Sequence, residues 1–170
     1  DNSSSDLGWA SQLAVKLSCN KQFEILHCPN GELPTGMHYG YPELGIVDFA
    51  LSESSVLKET LFFAKVTGRF RFPRISKLLD KLPSQFDACI DFRASYRNER
   101  KEFAEFRART QLMFFRKAFY SSHLLGTRQM MLKRGISHIE EFIPSLLNPR
   151  EDGCANVVFR WPLECRPSGV

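Results

Sequence analysis

The chain has 170 residues, 43% hydrophobic and 25% charged, the composition of a soluble globular domain long enough to bury a core. Its longest apolar runs, such as Leu112 to Phe115, fall far short of the roughly 20 residues a membrane helix needs. The net charge of +4, from 23 Lys and Arg against 19 Asp and Glu, suits an anionic ligand but is too small to demand nucleic acid.

In chain order, "DNSSSDLGWASQLAVKL" opens with loop formers, and Ser5 or Asp6 caps a helix whose apolar positions are Leu7, Ala10, Leu13, Ala14 and Leu17. "QFEILHC", residues 22–28, reads as a short strand. The glycines and prolines of "PNGELPTGMHYGYPEL" make an irregular loop, and Pro42 suits the first turn of a helix from 42 to about 53. "ETLFFAKV" is nearly continuously apolar, the pattern of a strand covered on both faces. A Thr67-Gly68-Arg69 turn follows, then a short helix in "PRISKLLDKL" and a buried strand in "FDACIDFR". Residues 95–109 are densely charged and read as an exposed helix or an excursion. "TQLMFFRKAFYSSHLL" reads as a strand running into a helix, "GISHIEEFIPSLL" as a helix, and "NVVFRWPL" as the last strand.

Strands alternating with helices argue for a layered, mostly parallel α/β sheet in one domain, residues 1–170. No charged-then-apolar leader opens the chain, and the start at Asp1 and end at Val170 read as cuts from a longer protein. The cysteines, Cys19, Cys28, Cys89, Cys154 and Cys165, are odd in number and lack zinc-knuckle spacing. They read as free thiols in a reducing compartment, with a Cys154–Cys165 disulfide as the alternative.

In α/β sheets ligands gather at the carboxyl ends of strands, where "LFFAKVTGRFRFPR", residues 61–74, places a lysine, a threonine, a glycine and an arginine. Period two puts Lys65 and Thr67 on one face; Gly68 permits a tight turn and close backbone approach; Arg69 can fork onto phosphate. A glycine turn with solvated basic residues accounts for the same pattern. In "HYGYPE", residues 38–43, a glycine loop opens a helix and offers backbone N–H groups to an anion, although Glu43 is also explained by the helix dipole. Asp87 and Asp91 are four apart, unlike an Asp-x-Asp metal clip, and Asp91, nearer the strand's carboxyl end, is the better candidate for a catalytic acid. Glu140 and Glu141 lie on the late helix, where Glu140 borders the apolar stripe of Ile136, Ile139 and Ile143. A carboxylate overlooking a cleft there can serve as a general base on a hydroxyl.

The elements Asp1-Asn2-Ser3, Gly40-Tyr41-Pro42-Glu43, Lys65-Val66-Thr67-Gly68-Arg69-Phe70 and Ile139-Glu140 together resemble a group of bacterial glycosyltransferases of the GT-A type found in surface-polysaccharide gene sets. The resemblance implies a nucleotide-sugar donor, a glycan or lipid-linked acceptor, and a cytoplasmic location, peripheral at the inner face of a membrane. It implies that Lys65, Thr67 and Arg69 hold the diphosphate, Gly68 brings the backbone close, and Tyr41 and Glu43 shape the donor or acceptor side. Glu140 would act on the acceptor. Two departures stand out. The first GT-A strand, which holds the base, would precede Asp1. The Thr-Gly-Arg turn also replaces the usual metal motif, so the cations rather than a divalent ion would neutralise the diphosphate. A metal-dependent variant would draw on Asp91. The rival reading is a non-catalytic nucleic-acid or anion-binding domain, using "RFRFPR" and the basic cluster at 97–117.

Overall fold

The computed structural model describes residues 8–17, 22–29, 33–68, 70–96, 103–147, 156–158 and 166–167. Asp1, Asn2, Ser3, Ser5, Asp6, Arg69, Cys19, Cys154 and Cys165 lie outside the described residues. The elements run α1 (Gly8–Leu17), α2 (Gly40–Glu53), α3 (Ser55–Lys58), β1 (Phe62–Val66), β2 (Phe70–Arg71), α4 (Ile75–Leu79), β3 (Ala88–Tyr96), β4 (Phe103–Arg116), α5 (Lys117–His123), α6 (Arg128–Arg134), α7 (Ile139–Leu146), β5 (Val157–Val158) and β6 (Arg166–Pro167).

The main sheet has four strands in the order β1-β4-β3-β5, and β2 pairs with β6 in a second, two-stranded sheet. The α/β class expected from the sequence is present, but the sheet is mixed and mostly antiparallel. β4 runs antiparallel to both β1 and β3, and only β5 pairs in parallel, with β3. The source of the difference is residues 103–109, which form the first half of β4 rather than a helix or an excursion. β1, β3 and β5 nonetheless point the same way, although β3 runs on to Tyr96, well past the level at which β1 ends.

The 22–28 segment is irregular rather than a strand. Its Glu24 carboxylate accepts bonds from Ser54 Oγ at 2.6 Å and from the Ser55 backbone N–H at 3.3 Å, which ties the segment to the start of α3 and away from the sheet. β1 was expected to be covered on both faces, yet it is the terminal strand, and its Phe62 and Val66 are exposed while Lys65 is buried.

One face of the sheet carries the principal core. Ile90, Phe92, Ala108, Met113 and Phe115 pack there with Tyr41 and Leu44 of α2, Tyr120 of α5 and Ile139, Phe142 and Ile143 of α7. The opposite face carries a smaller cluster of Phe86, Cys89, Leu112 and Phe114, covered by Phe72, Leu78 and Leu82. Burial pushes the Cys89 thiol up to about 12, so it is a packed, unreactive apolar group. Asp48 ties α2 to the α5–α6 region by accepting from Tyr120 Oη and the Gly126 N–H, each at 3.0 Å. Burial raises the Asp48 carboxyl above its ordinary range, and those two bonds pull it back.

The starts of α2 and α7 touch. A methyl group at Gly40 would lie 2.5 Å from Ile139 Cβ and 3.1 Å from the Ile139 backbone nitrogen. Gly40 is therefore needed for helix-to-helix approach. The Gly40→Ala variant is expected to lower stability by about 1–3 kcal/mol, the usual range for overpacking, in a urea melt. An unchanged midpoint would mean that α7 can move away at no cost. No helix among the described residues is long and apolar enough to cross a membrane.

Candidate functional site

β1 stops at Val66, opposite Leu112, while the β3–β4 ribbon continues past it. In the notch so formed, side chains from α2, β1, β4 and α7 meet. Glu43 stands in the first turn of α2, where a carboxylate is favoured by the helix dipole. It accepts from Lys65 Nζ at 2.6 Å and from Thr67 Oγ1 at 2.8 Å. Lys65 Nζ donates also to Thr67 Oγ1 at 2.8 Å and to the Thr110 carbonyl at 2.5 Å. Thr110 Oγ1 in turn donates to Glu140 Oε1 at 3.3 Å. Glu43, Lys65, Thr67, Thr110 and Glu140 thus form one connected hydrogen-bonded group.

The sequence placed Lys65 and Thr67 on one face, and they are. The expected role of Lys65 is to hold a diphosphate; in the structure its ammonium is turned to neighbouring groups of the protein. Glu43, Thr67 and Thr110 each accept from the Lys65 ammonium. With its side chain 6% exposed, Lys65 works as an internal fastener, neutralised by Glu43. Thr67 is likewise turned to Glu43. Of the expected phosphate-holding cations, Arg69 lies outside the described residues.

Gly68 is exposed, its φ is not in the left-handed region, and a methyl group there would meet nothing within 4 Å. The fold itself does not require glycine at this position. Gly68→Ala is expected to change stability by less than about 1 kcal/mol. A loss of nucleoside-diphosphate affinity in that folded variant would show that a ligand, not the turn, needs the open backbone. Tyr41 is buried in the core with the Arg128 guanidinium 5.6 Å above its ring, so it supports the start of α2 from beneath.

Glu140 and Glu141 both sit in the first turn of α7 and part company there. Glu141 pairs with Arg107. Glu140 is half-buried, and its Oε2 is a buried oxygen with no hydrogen-bond partner among the described residues. Such an atom costs about 1–3 kcal/mol unless a donor from a ligand, a water or another part of the chain satisfies it. Asp91 is 4% exposed, with Arg109 Nε 3.9 Å from its carboxylate. Its neighbours Ile90 and Phe92 pack with α7, so alternation turns Asp91 to the other face, away from Glu140. The two expected catalytic acids are not brought together.

Beneath Glu43 and Lys65 is a small cavity lined by Leu44, Met113, Ile139 and Ile143, with room for about one water and none for a sugar nucleotide. Among the described residues no three His, Cys, Asp or Glu side chains cluster as a metal site. Sequence reasoning missed Thr110, which joins the two halves of the group. The chain matches no family model, and no curated protein and no solved structure matches it.

Proposed function

We propose that this chain is a glycosyltransferase domain that moves a sugar from a nucleotide donor to an acceptor hydroxyl, in the synthesis of a surface polysaccharide or related glycan. One observation carries the reading. Glu43, Lys65 with Thr67, and Glu140 come from three well-separated segments, each part of the resemblance to GT-A-type enzymes, and they meet in one hydrogen-bonded group at the carboxyl end of β1, beside the middle of β4. In an inverting transfer, Glu140 Oε2 takes the proton of the acceptor hydroxyl as that oxygen bonds to the sugar carbon. The bond from that carbon to the diphosphate oxygen breaks, and its electron pair leaves with the diphosphate, which Arg69 holds. Glu43, Lys65 and Thr67 keep the notch in shape.

The rival nucleic-acid reading loses support from the same geometry. Within the basic cluster Arg107, Arg109 and Arg116 face Glu141, Asp91 and Asp87, and Lys117 Nζ donates to the carbonyls of Leu57 and Lys58. These cations have partners within the chain, although the three arginines stay partly exposed. A titration with uridine or guanosine diphosphate beside single-stranded oligonucleotides of two lengths separates the readings. Glycosyl transfer requires diphosphate binding that ignores strand length. Affinity rising with strand length and falling steeply with salt would establish the nucleic-acid reading instead.

A further inference from the structure

Thr110 is 4% exposed, in a strand where a valine would fill the same space without a hydroxyl to satisfy. It sits where the pairing of β3 and β4 breaks. Cys89 faces Phe114 and Asp91 faces Arg109, so two steps along β3 are matched by five along β4. The extra residues form a bulge that begins at Thr110. Bulges re-aim side chains, and this one leaves both polar ends of Thr110 in use inside the notch. Its carbonyl accepts from Lys65 Nζ at 2.5 Å, and its hydroxyl donates to Glu140 Oε1 at 3.3 Å.

We infer that Thr110 is a positioning residue for Glu140, held by Lys65 through its carbonyl and holding one carboxylate oxygen through its hydroxyl so that the other faces the acceptor. The inference rests on the glycosyl-transfer reading. Oε1 carries the bond from Thr110, while Oε2 has no partner among the described residues. A carboxylate pinned at one oxygen presents the other in a fixed direction, which is what proton removal from a bound hydroxyl requires. Lys65 touches no reacting atom in this arrangement. It acts at two removes, by fixing the backbone of Thr110.

The test uses the full-length protein with a sugar nucleotide and acceptor that it turns over. Thr110→Val keeps the shape and deletes the hydroxyl; Thr110→Ser keeps the hydroxyl. Thr110→Val is expected to lower kcat by roughly tenfold or more with the donor KM unchanged, on the scale of a lost hydrogen bond to a charged group, and Thr110→Ser to stay within a few-fold of wild type. Combined with Glu140→Gln, Thr110→Val is expected to add almost nothing, because the group it positions is already gone. Should Thr110→Val melt early, Thr110→Ala, assayed well below its transition, carries the same expectation. Unchanged kcat in a folded Thr110→Val, an equal loss in Thr110→Ser, or a loss fully additive with Glu140→Gln would overturn the inference while leaving glycosyl transfer standing. A folded wild-type protein that transfers no sugar from any donor would overturn the transfer reading and this inference with it.

Discussion

Glu43→Ala is expected to lower the free energy of unfolding by about 3–5 kcal/mol, the range for breaking a buried ion pair from one side. The size follows from which charge is stranded. The Lys65 side chain is 6% exposed and that of Glu43 26%. Removing Glu43 leaves an ammonium that water cannot reach, while removing Lys65 leaves a carboxylate that can rehydrate through its open side. Lys65→Met is therefore expected to cost less, about 1–3 kcal/mol, chiefly for the unpaired Thr110 carbonyl. The double variant Glu43→Leu with Lys65→Met is expected to recover most of the loss, because an apolar pair of similar volume carries no desolvation penalty. Thermal melts check all three, since each kcal/mol moves the midpoint of a domain this size by roughly 2–4 °C. A Glu43→Ala midpoint equal to that of wild type would mean that the pair does not form in solution.

The second large effect is expected at Glu140. Glu140→Gln keeps the shape and removes the charge, and turnover is expected to fall by roughly a hundredfold or more, the usual worth of a general base. Donor affinity is expected to change little, because the base acts on the acceptor. Stability is expected to change little, since a half-buried carboxylate is exchanged for a neutral amide of the same shape. Glu141→Gln is the matched control. Its carboxylate pairs with Arg107 at the surface, and surface pairs contribute about 0–1 kcal/mol, so it is expected to be nearly silent in both assays. Equal turnover in the two variants would return Glu140 to the plain role of a helix-dipole acid.

Much of this arrangement was legible in the sequence, and the gaps have physical causes. α2 and α7 were readable because their apolar residues recur at helical spacing, and β3 because the short apolar run Ala88–Ile90, with Phe86 and Phe92 beside it, reads as a buried strand. β4 was not. From 105 to 110 the chain alternates Glu105, Arg107 and Arg109 with Phe106, Ala108 and Thr110, which is a strand pattern. The density of charge hid the period of two. Strand direction went with it: a helix read between β3 and β4 implies a parallel crossover, whereas the two strands follow one another directly and pair antiparallel.

At the site, the shared face of Lys65 and Thr67 followed from spacing alone. Their common partner Glu43, 24 positions before Thr67, did not, because a helix-dipole role already explained that acid. The same masking applied to Gly40, which reads as a loop glycine and serves as a contact for Ile139. Thr110 had one available signal, a hydroxyl in the inward row of an otherwise apolar strand face, and that row appears only once β4 is recognised.

The most direct test of sugar transfer is nucleoside-diphosphate release from a panel of uridine and guanosine diphosphate sugars, with simple glycosides as acceptors, by the full-length protein. The expected result is release from at least one donor that depends on acceptor and falls roughly a hundredfold in Glu140→Gln. Folded protein that releases no diphosphate from any donor, or releases it equally well without the Glu140 carboxylate, would contradict the account.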